Sequence, residues 1–150
     1  MTHFHVRIGD SVQFTKTVTE TDVVLFAGIS GDFSPNHTDE AFMQQSVYGR
    51  RIAHGALLVA FMSTASTHMQ QRSIAQGIDT TPVSLGYDGV RFLKPVFLGD
   101  TVTVTYKIAT VDDERLRTVA DMEVHNQRSE LVAVGKHITK WVLNAPGGLV

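Results

Sequence analysis

The chain has 150 residues, a formal net charge of −2, 43% hydrophobic and 19% charged residues, and no cysteine. This is the ordinary composition of one globular domain. It excludes disulfides and thiolate chemistry, bulk electrostatic attraction to nucleic acid and, because no apolar run approaches about 20 residues, a membrane-spanning helix.

Ser11 to Val18 alternates Val12 and Phe14 with Gln13 and Thr15, as a half-buried strand does. Thr19 or Thr21 then caps a helix running to about Ile29, with Glu20 and Asp22 in its first turn. Ser30-Gly31-Asp32-Phe33-Ser34-Pro35-Asn36-His37 is dense in turn formers and reads as a loop. Thr38-Asp39-Glu40 opens a short helix to about Gln45.

From Gly55 to Arg72 a long helix is predicted, apolar without interruption over Ala56 to Met62. A helix apolar on every side is an enclosed one. Strands follow at Val83 to Phe92, Thr101 to Ile108, Leu116 to Val124 and Leu131 to Leu143, joined by short turns and therefore antiparallel neighbours. The fold class is α+β: one domain over 1–150, with its core over about 8–143, in which an antiparallel sheet wraps a long buried central helix. Val83, Leu85, Tyr87, Phe61 and Met62 are assigned to the core. The N-terminus, with His3 and His5, and the tail from Asn144 to Val150 read as frayed. Neither end carries a secretory or organellar address, so the expected location is the cytoplasm.

Three features could carry chemistry. Asp32 and His37 stand five apart on the turn-rich loop, with Pro35 stiffening the segment between them. A carboxylate and an imidazole can work as base and acid on one water or one C–H bond. The same spacing also describes a loop Asp that caps a helix and a surface His. Second, Gly55 follows His54 at the start of the long helix, where free N–H groups and the helix dipole can hold a carbonyl oxygen that becomes negative, or where the two are a helix-start glycine and a partly buried structural histidine. Third, Ser63 lies two turns into that helix, either bonded to its own backbone or orienting the loop acid or a substrate. No spacing suggests a metal-ligand cluster, and His68, His125 and His137 are isolated in sequence.

Gly31-Asp32-Phe33-Ser34-Pro35-Asn36-His37, then Tyr48-Gly49-Arg50-Arg51-Ile52-Ala53-His54-Gly55-Ala56-Leu57-Leu58, then Val90 to Asp100, closely resemble the MaoC-like, (R)-specific enoyl-CoA hydratase family. The resemblance runs from about Ile8 to Val142. It implies a hot-dog fold, a homodimer or higher homo-oligomer, and interconversion of trans-2-enoyl-CoA with (3R)-3-hydroxyacyl-CoA. No cofactor is implied beyond the coenzyme A carried by the substrate. The family's catalytic Asp and His fall on Asp32 and His37, its oxyanion glycine on Gly55 and its helix serine on Ser63. Ala53 and His54, with the pair Arg50-Arg51, are the expected substrate-binding positions; the arginines would meet coenzyme A phosphates or an acyl carboxylate, or else form a solvated surface pair. Two departures stand out: Ser34-Pro35-Asn36 where many relatives have Asn-Pro and an aliphatic residue, and Arg50-Arg51-Ile52 where they have one arginine. An acyl-CoA thioesterase or a non-catalytic acyl-CoA-binding subunit on the same fold remain alternatives.

Overall fold

Alternation of apolar and polar side chains makes the sheet. The computed structural model describes residues 3–145. In chain order they form β1 (Ser11–Thr17), α1 (Glu20–Ser30), α2 (Pro35–Thr38), α3 (Glu40–Gln44), α4 (Gly55–Ile74), β2 (Thr80–Phe92), β3 (Thr101–Asp112), β4 (Arg117–Asn126) and β5 (Leu131–Leu143). One five-stranded sheet of order β1-β3-β4-β5-β2 results, antiparallel throughout; β2 is not the neighbour of β3 that their short connection predicted, because it crosses to the far edge and pairs with β5. The inward residues of β3 and β4 (Val102, Val104, Tyr106 and Ile108; Ala120, Met122 and Val124) are all buried. They pack against Leu57, Leu58, Phe61, Met62 and Ala65 of α4.

Two expectations about coverage are corrected. First, α4 is the long central helix, with Leu57, Leu58, Phe61, Met62, Ala65 and Met69 buried, but it is not covered on every side. Within this chain Ala56, Ala60, Ser63 and Thr67 form an exposed stripe of small residues. The alanines made the helix look apolar on all sides, but an alanine hides little surface and is at ease in solvent. Second, Val83 and Leu85 are not core. They are 43% and 51% exposed, because β2 is an edge strand and bulges at Ser84/Gly86 and Asp88/Arg91 break its register with β5.

The N-terminal segment is not frayed over residues 3–10. Phe4 is fully buried and stacks on Trp141 with ring centroids 4.9 Å apart. His3 pairs with Asp79, and the His5 N–H donates to Ser73 Oγ. An aromatic stack of this kind contributes about 0.5–1.5 kcal/mol beyond the area it buries, enough to hold a short leading segment in place. At the other end Asn144, predicted to fray, is held: its N–H donates to the Asp79 carbonyl at 2.9 Å and its Oδ1 accepts from Thr81 Oγ1 at 2.7 Å, while the tail from 146 lies outside the described residues.

α1 begins where sequence places it. Thr19 and Asp22 form a reciprocal capping box, and Gly31 closes the helix in the left-handed region at φ 79° with its N–H on the Ala27 carbonyl. The loop that follows is more regular than expected. Pro35 starts one turn of helix, α2, so His37 is a helical residue, and Asp39 caps α3 through the Phe42 N–H.

Candidate active site

Three chain segments meet at the head of α4. The Ile52 N–H donates to the Asn36 carbonyl at 3.0 Å, and the Ala53 N–H donates to the Val96 carbonyl at 2.7 Å. Ile52 also bridges to Phe97. These contacts tie α2, the approach to α4 and the stretch after β2 into one frame.

That frame brings the loop acid and the helix histidine together. The Asp32 carboxylate lies within 4.8 Å of a ring nitrogen of His37. Asp32 is exposed, and its Oδ1 accepts from the Ser34 N–H at 3.1 Å, which leaves Oδ2 for another donor. His37 has a defined tautomer. Its Nδ1 lies 2.7 Å from the Ile52 carbonyl, which can only accept, so Nδ1 carries the hydrogen and Nε2 keeps its lone pair. The bond at Nδ1 fixes the ring and leaves Nε2 for a second partner.

Beside this pair is a cavity of about 290 Å³ lined by His37, Tyr48, Ala53, Gly55, Leu58 and Phe92, among others. Asp32 stands just outside that lining. Gly55 is needed here for space, not for backbone conformation: a Cβ at this position would sit 2.6 Å from Cδ2 and Cε2 of Phe92. No acceptor among the described residues takes the Gly55 N–H. That N–H belongs to the first residue of a 20-residue helix, where partial positive charge collects.

The other expected site residues divide. Ala53 lines the cavity. His54 does not: it is 2% exposed, with its ring against Phe26 and His37. Arg51 is committed elsewhere. Its guanidinium grips both carboxylate oxygens of Glu20 on α1, donates to Glu40 on α3 at 3.1 Å and reaches the His37 carbonyl at 3.3 Å. The hydrogen bonds from Arg51 hold the Glu20 carboxyl below its ordinary range. A charge so engaged clamps the loop rather than meeting a phosphate. Arg50 is exposed and lies 4.1 Å above the Phe97 ring. Ser63 is exposed, and its Oγ has no hydrogen bond among the described residues; its carbonyl accepts from Ser66 and Thr67.

Spacing showed no metal-ligand cluster, yet the fold gathers donor atoms of Asp32, His37 and His54 within 4.8 Å of one another. The two imidazoles are stacked, with centroids 3.7 Å apart and planes 28° from parallel. Their in-plane lone pairs therefore run side by side instead of converging on one ion, a poor match to tetrahedral or octahedral coordination. Sequence reasoning missed Phe26 and Phe92. Phe92 falls within the Val90 to Asp100 segment already singled out, whereas nothing in the linear order pairs Phe26 with residue 54.

An antiparallel sheet packed on one long helix, with a carboxylate and an imidazole brought together beside the head of that helix, defines a hot-dog protein. Residues 3–131 match the model of the MaoC like domain. The (R)-specific enoyl-CoA hydratase of Rhodospirillum rubrum is 36% identical over 110 residues, spanning 73% of this chain and 71% of that one. Among solved structures, the (R)-hydratase of A. caviae involved in PHA biosynthesis superposes with a TM-score of 0.78 at 27% identity, over 90% of this chain and 96% of that one. An unliganded R-hydratase from Pseudomonas aeruginosa gives a TM-score of 0.77 at 28% identity, over 97% and 90%. The chain belongs to the MaoC-like domain family.

Proposed function

We propose that this chain is a hydro-lyase that adds water to trans-2-enoyl-CoA thioesters to give (3R)-3-hydroxyacyl-CoA, or catalyses the reverse dehydration. The observation that carries the reading is the approach of the Asp32 carboxylate and the His37 imidazole to within 4.8 Å, beside a cavity that also opens onto Gly55. Two groups this close can hold one water between them, each through a hydrogen bond of about 2.8 Å.

The thioester carbonyl oxygen accepts from the Gly55 N–H at the positive end of α4. Charge that builds on this oxygen as water attacks the β-carbon is stabilised there. Asp32 and His37 orient the water, remove its proton and deliver a proton to the α-carbon. His37 Nε2, left free by the bond from Nδ1 to Ile52, suits either direction of transfer. Arg50 is the candidate for the coenzyme A phosphates, and Ser63 for a contact with substrate or with a partner chain. Coenzyme A arrives with the substrate, and the residues described here carry the proposed chemistry without a further group.

A homodimer is part of the proposal. The free edge of β2, with Val83 and Leu85 exposed, and the uncovered face of α4 are surfaces that a second copy would bury.

Crotonyl-CoA and a saturated acyl-CoA, followed in parallel for loss of enoyl absorbance and for release of free thiol, test the function. Loss of absorbance with no thiol is the expected result. Thiol release from the saturated ester would make the protein a thioesterase; tight binding of both esters without turnover would make it a binding subunit.

A further inference from the structure

His54 makes no use of the role its position offers. It is the N-cap of α4, yet its side chain makes no capping hydrogen bond. The ring instead turns back into the protein. Nε2 lies 3.0 Å from the backbone carbonyl of Asp32, 22 residues away, so Nε2 carries the hydrogen and donates it. One face stacks on His37, with centroids 3.7 Å apart, and Phe26 packs against the ring at 4.8 Å. Nδ1, with its lone pair, is the buried side-chain polar atom among the described residues that has no partner.

A buried acceptor without a donor is normally removed by selection or satisfied by a neighbour. Here the unpaired nitrogen has a consequence. With Nδ1 unpartnered, the ring is held by the Nε2–H bond to the Asp32 carbonyl and by its aromatic neighbours alone. The flat ring is also the face on which the His37 imidazole rests. One side chain thereby touches both members of the acid/base pair.

We propose that His54 is a positioning residue that sets the geometry of Asp32 and His37 together and does not itself contact substrate. The inference rests on the acid/base assignment above and deepens it. Its Nε2–H ties down the backbone of the acid, and its ring sets the tilt of the histidine. Displacement of either group by about 1 Å is enough to slow turnover on the order of 10²-fold.

Three substitutions separate the two contacts. His54→Gln keeps an N–H donor near Asp32 and loses the ring. His54→Phe keeps the stack and loses the donor. His54→Ala loses both. With crotonyl-CoA, His54→Ala is expected to lower kcat about 100-fold with KM within about threefold of wild type, and each of the other two to recover part of that loss. The pH profile of kcat should shift in His54→Ala and His54→Gln, where His37 loses its stacking partner, and stay near wild type in His54→Phe. If His54→Ala does not fold, the two ring-sized variants decide on the same readouts. A raised KM with unchanged kcat would make His54 a substrate contact and overturn the inference. So would wild-type kcat in both His54→Gln and His54→Phe. Failure of the underlying assignment looks different: Asp32→Asn and His37→Gln would then retain turnover in a wild-type His54 background.

Discussion

Replacing Gly55 with alanine tests the proposed oxyanion contact, and the structure sets the scale of the effect. The new Cβ would lie 2.6 Å from two atoms of the Phe92 ring and 2.9 Å from Cγ. Carbon atoms prefer about 3.5–4.0 Å, so the ring must retreat by about 1 Å. Phe92 is 52% exposed and can swing toward solvent. The strain therefore costs on the order of 1 kcal/mol, and the better helix propensity of alanine offsets up to about 1 kcal/mol of it. Stability should change little. Activity should change much more, because the methyl group crowds the approach of a carbonyl oxygen to the N–H. Losing one such donor typically lowers kcat by about 10²–10³-fold. Crotonyl-CoA hydration measured beside thermal unfolding separates the two effects. The double variant Gly55→Ala with Phe92→Ala removes the steric clash. It should leave the rate low, since the methyl group remains in the way. A Gly55→Ala enzyme with kcat within threefold of wild type would refute the role of this N–H. Full recovery in the double variant would move the cause to the displaced ring.

Asp32→Asn and His37→Gln should each lower kcat by about 10²–10⁴-fold with the thermal unfolding midpoint nearly unchanged, and near-normal turnover in either variant would remove that residue from the mechanism. Arg51→Met should lower stability by about 1 kcal/mol, because it releases Glu20 and Glu40 from their common partner; an unchanged urea midpoint would show that the clamp contributes nothing. His137 is fully buried between Tyr106 Oη at 2.9 Å and Ser84 Oγ at 2.8 Å, and burial pushes its pKa down to about 4 from 6.5. The unfolded chain therefore binds the proton first, so the stability from neutral His137 is complete above pH 6.5 and is lost as pH falls toward 4, by about 3 kcal/mol in all. Urea midpoints at pH 7 and pH 4.5 check this: the drop should be clearly smaller in His137→Gln, and an equal drop in both proteins would count against it. Replacing Val83 and Leu85 with lysine should shift the protein to a monomer by light scattering; an unaltered mass would place the subunit contact elsewhere.

Local pattern carried most of the architecture. The strict alternation in Thr101 to Ile108, the capping signals at Thr19 and the apolar run after Gly55 each depend on residues within a few positions of one another. All three were legible, but the rule that strands joined by a short connection are neighbours failed at β2, which pairs with β5 at the far edge of the sheet and not with β3. The candidate site came from the family resemblance joined to proximity: Asp32, His37 and Gly55 lie within 24 positions, on one loop and the helix that follows, but the Asp–His spacing alone also describes a capping Asp and a surface His.

What sequence left open depends on contacts between distant segments, for which linear order carries no period. Whether Arg51 meets a phosphate or Glu20 depends on the packing of α1 against the approach to α4, 31 positions away. His54 reads either as a ligand contact beside Gly55 or as a partly buried structural histidine, and its bond to the Asp32 carbonyl and its stack on His37 decide for the inward orientation. The exposed stripe on α4 was hidden because alanine satisfies an apolar pattern without needing burial. Sequence by itself determined which elements form and which residues reach the head of α4. The tertiary structure decided which way those side chains face, because direction is set by partners that the chain meets only after it folds.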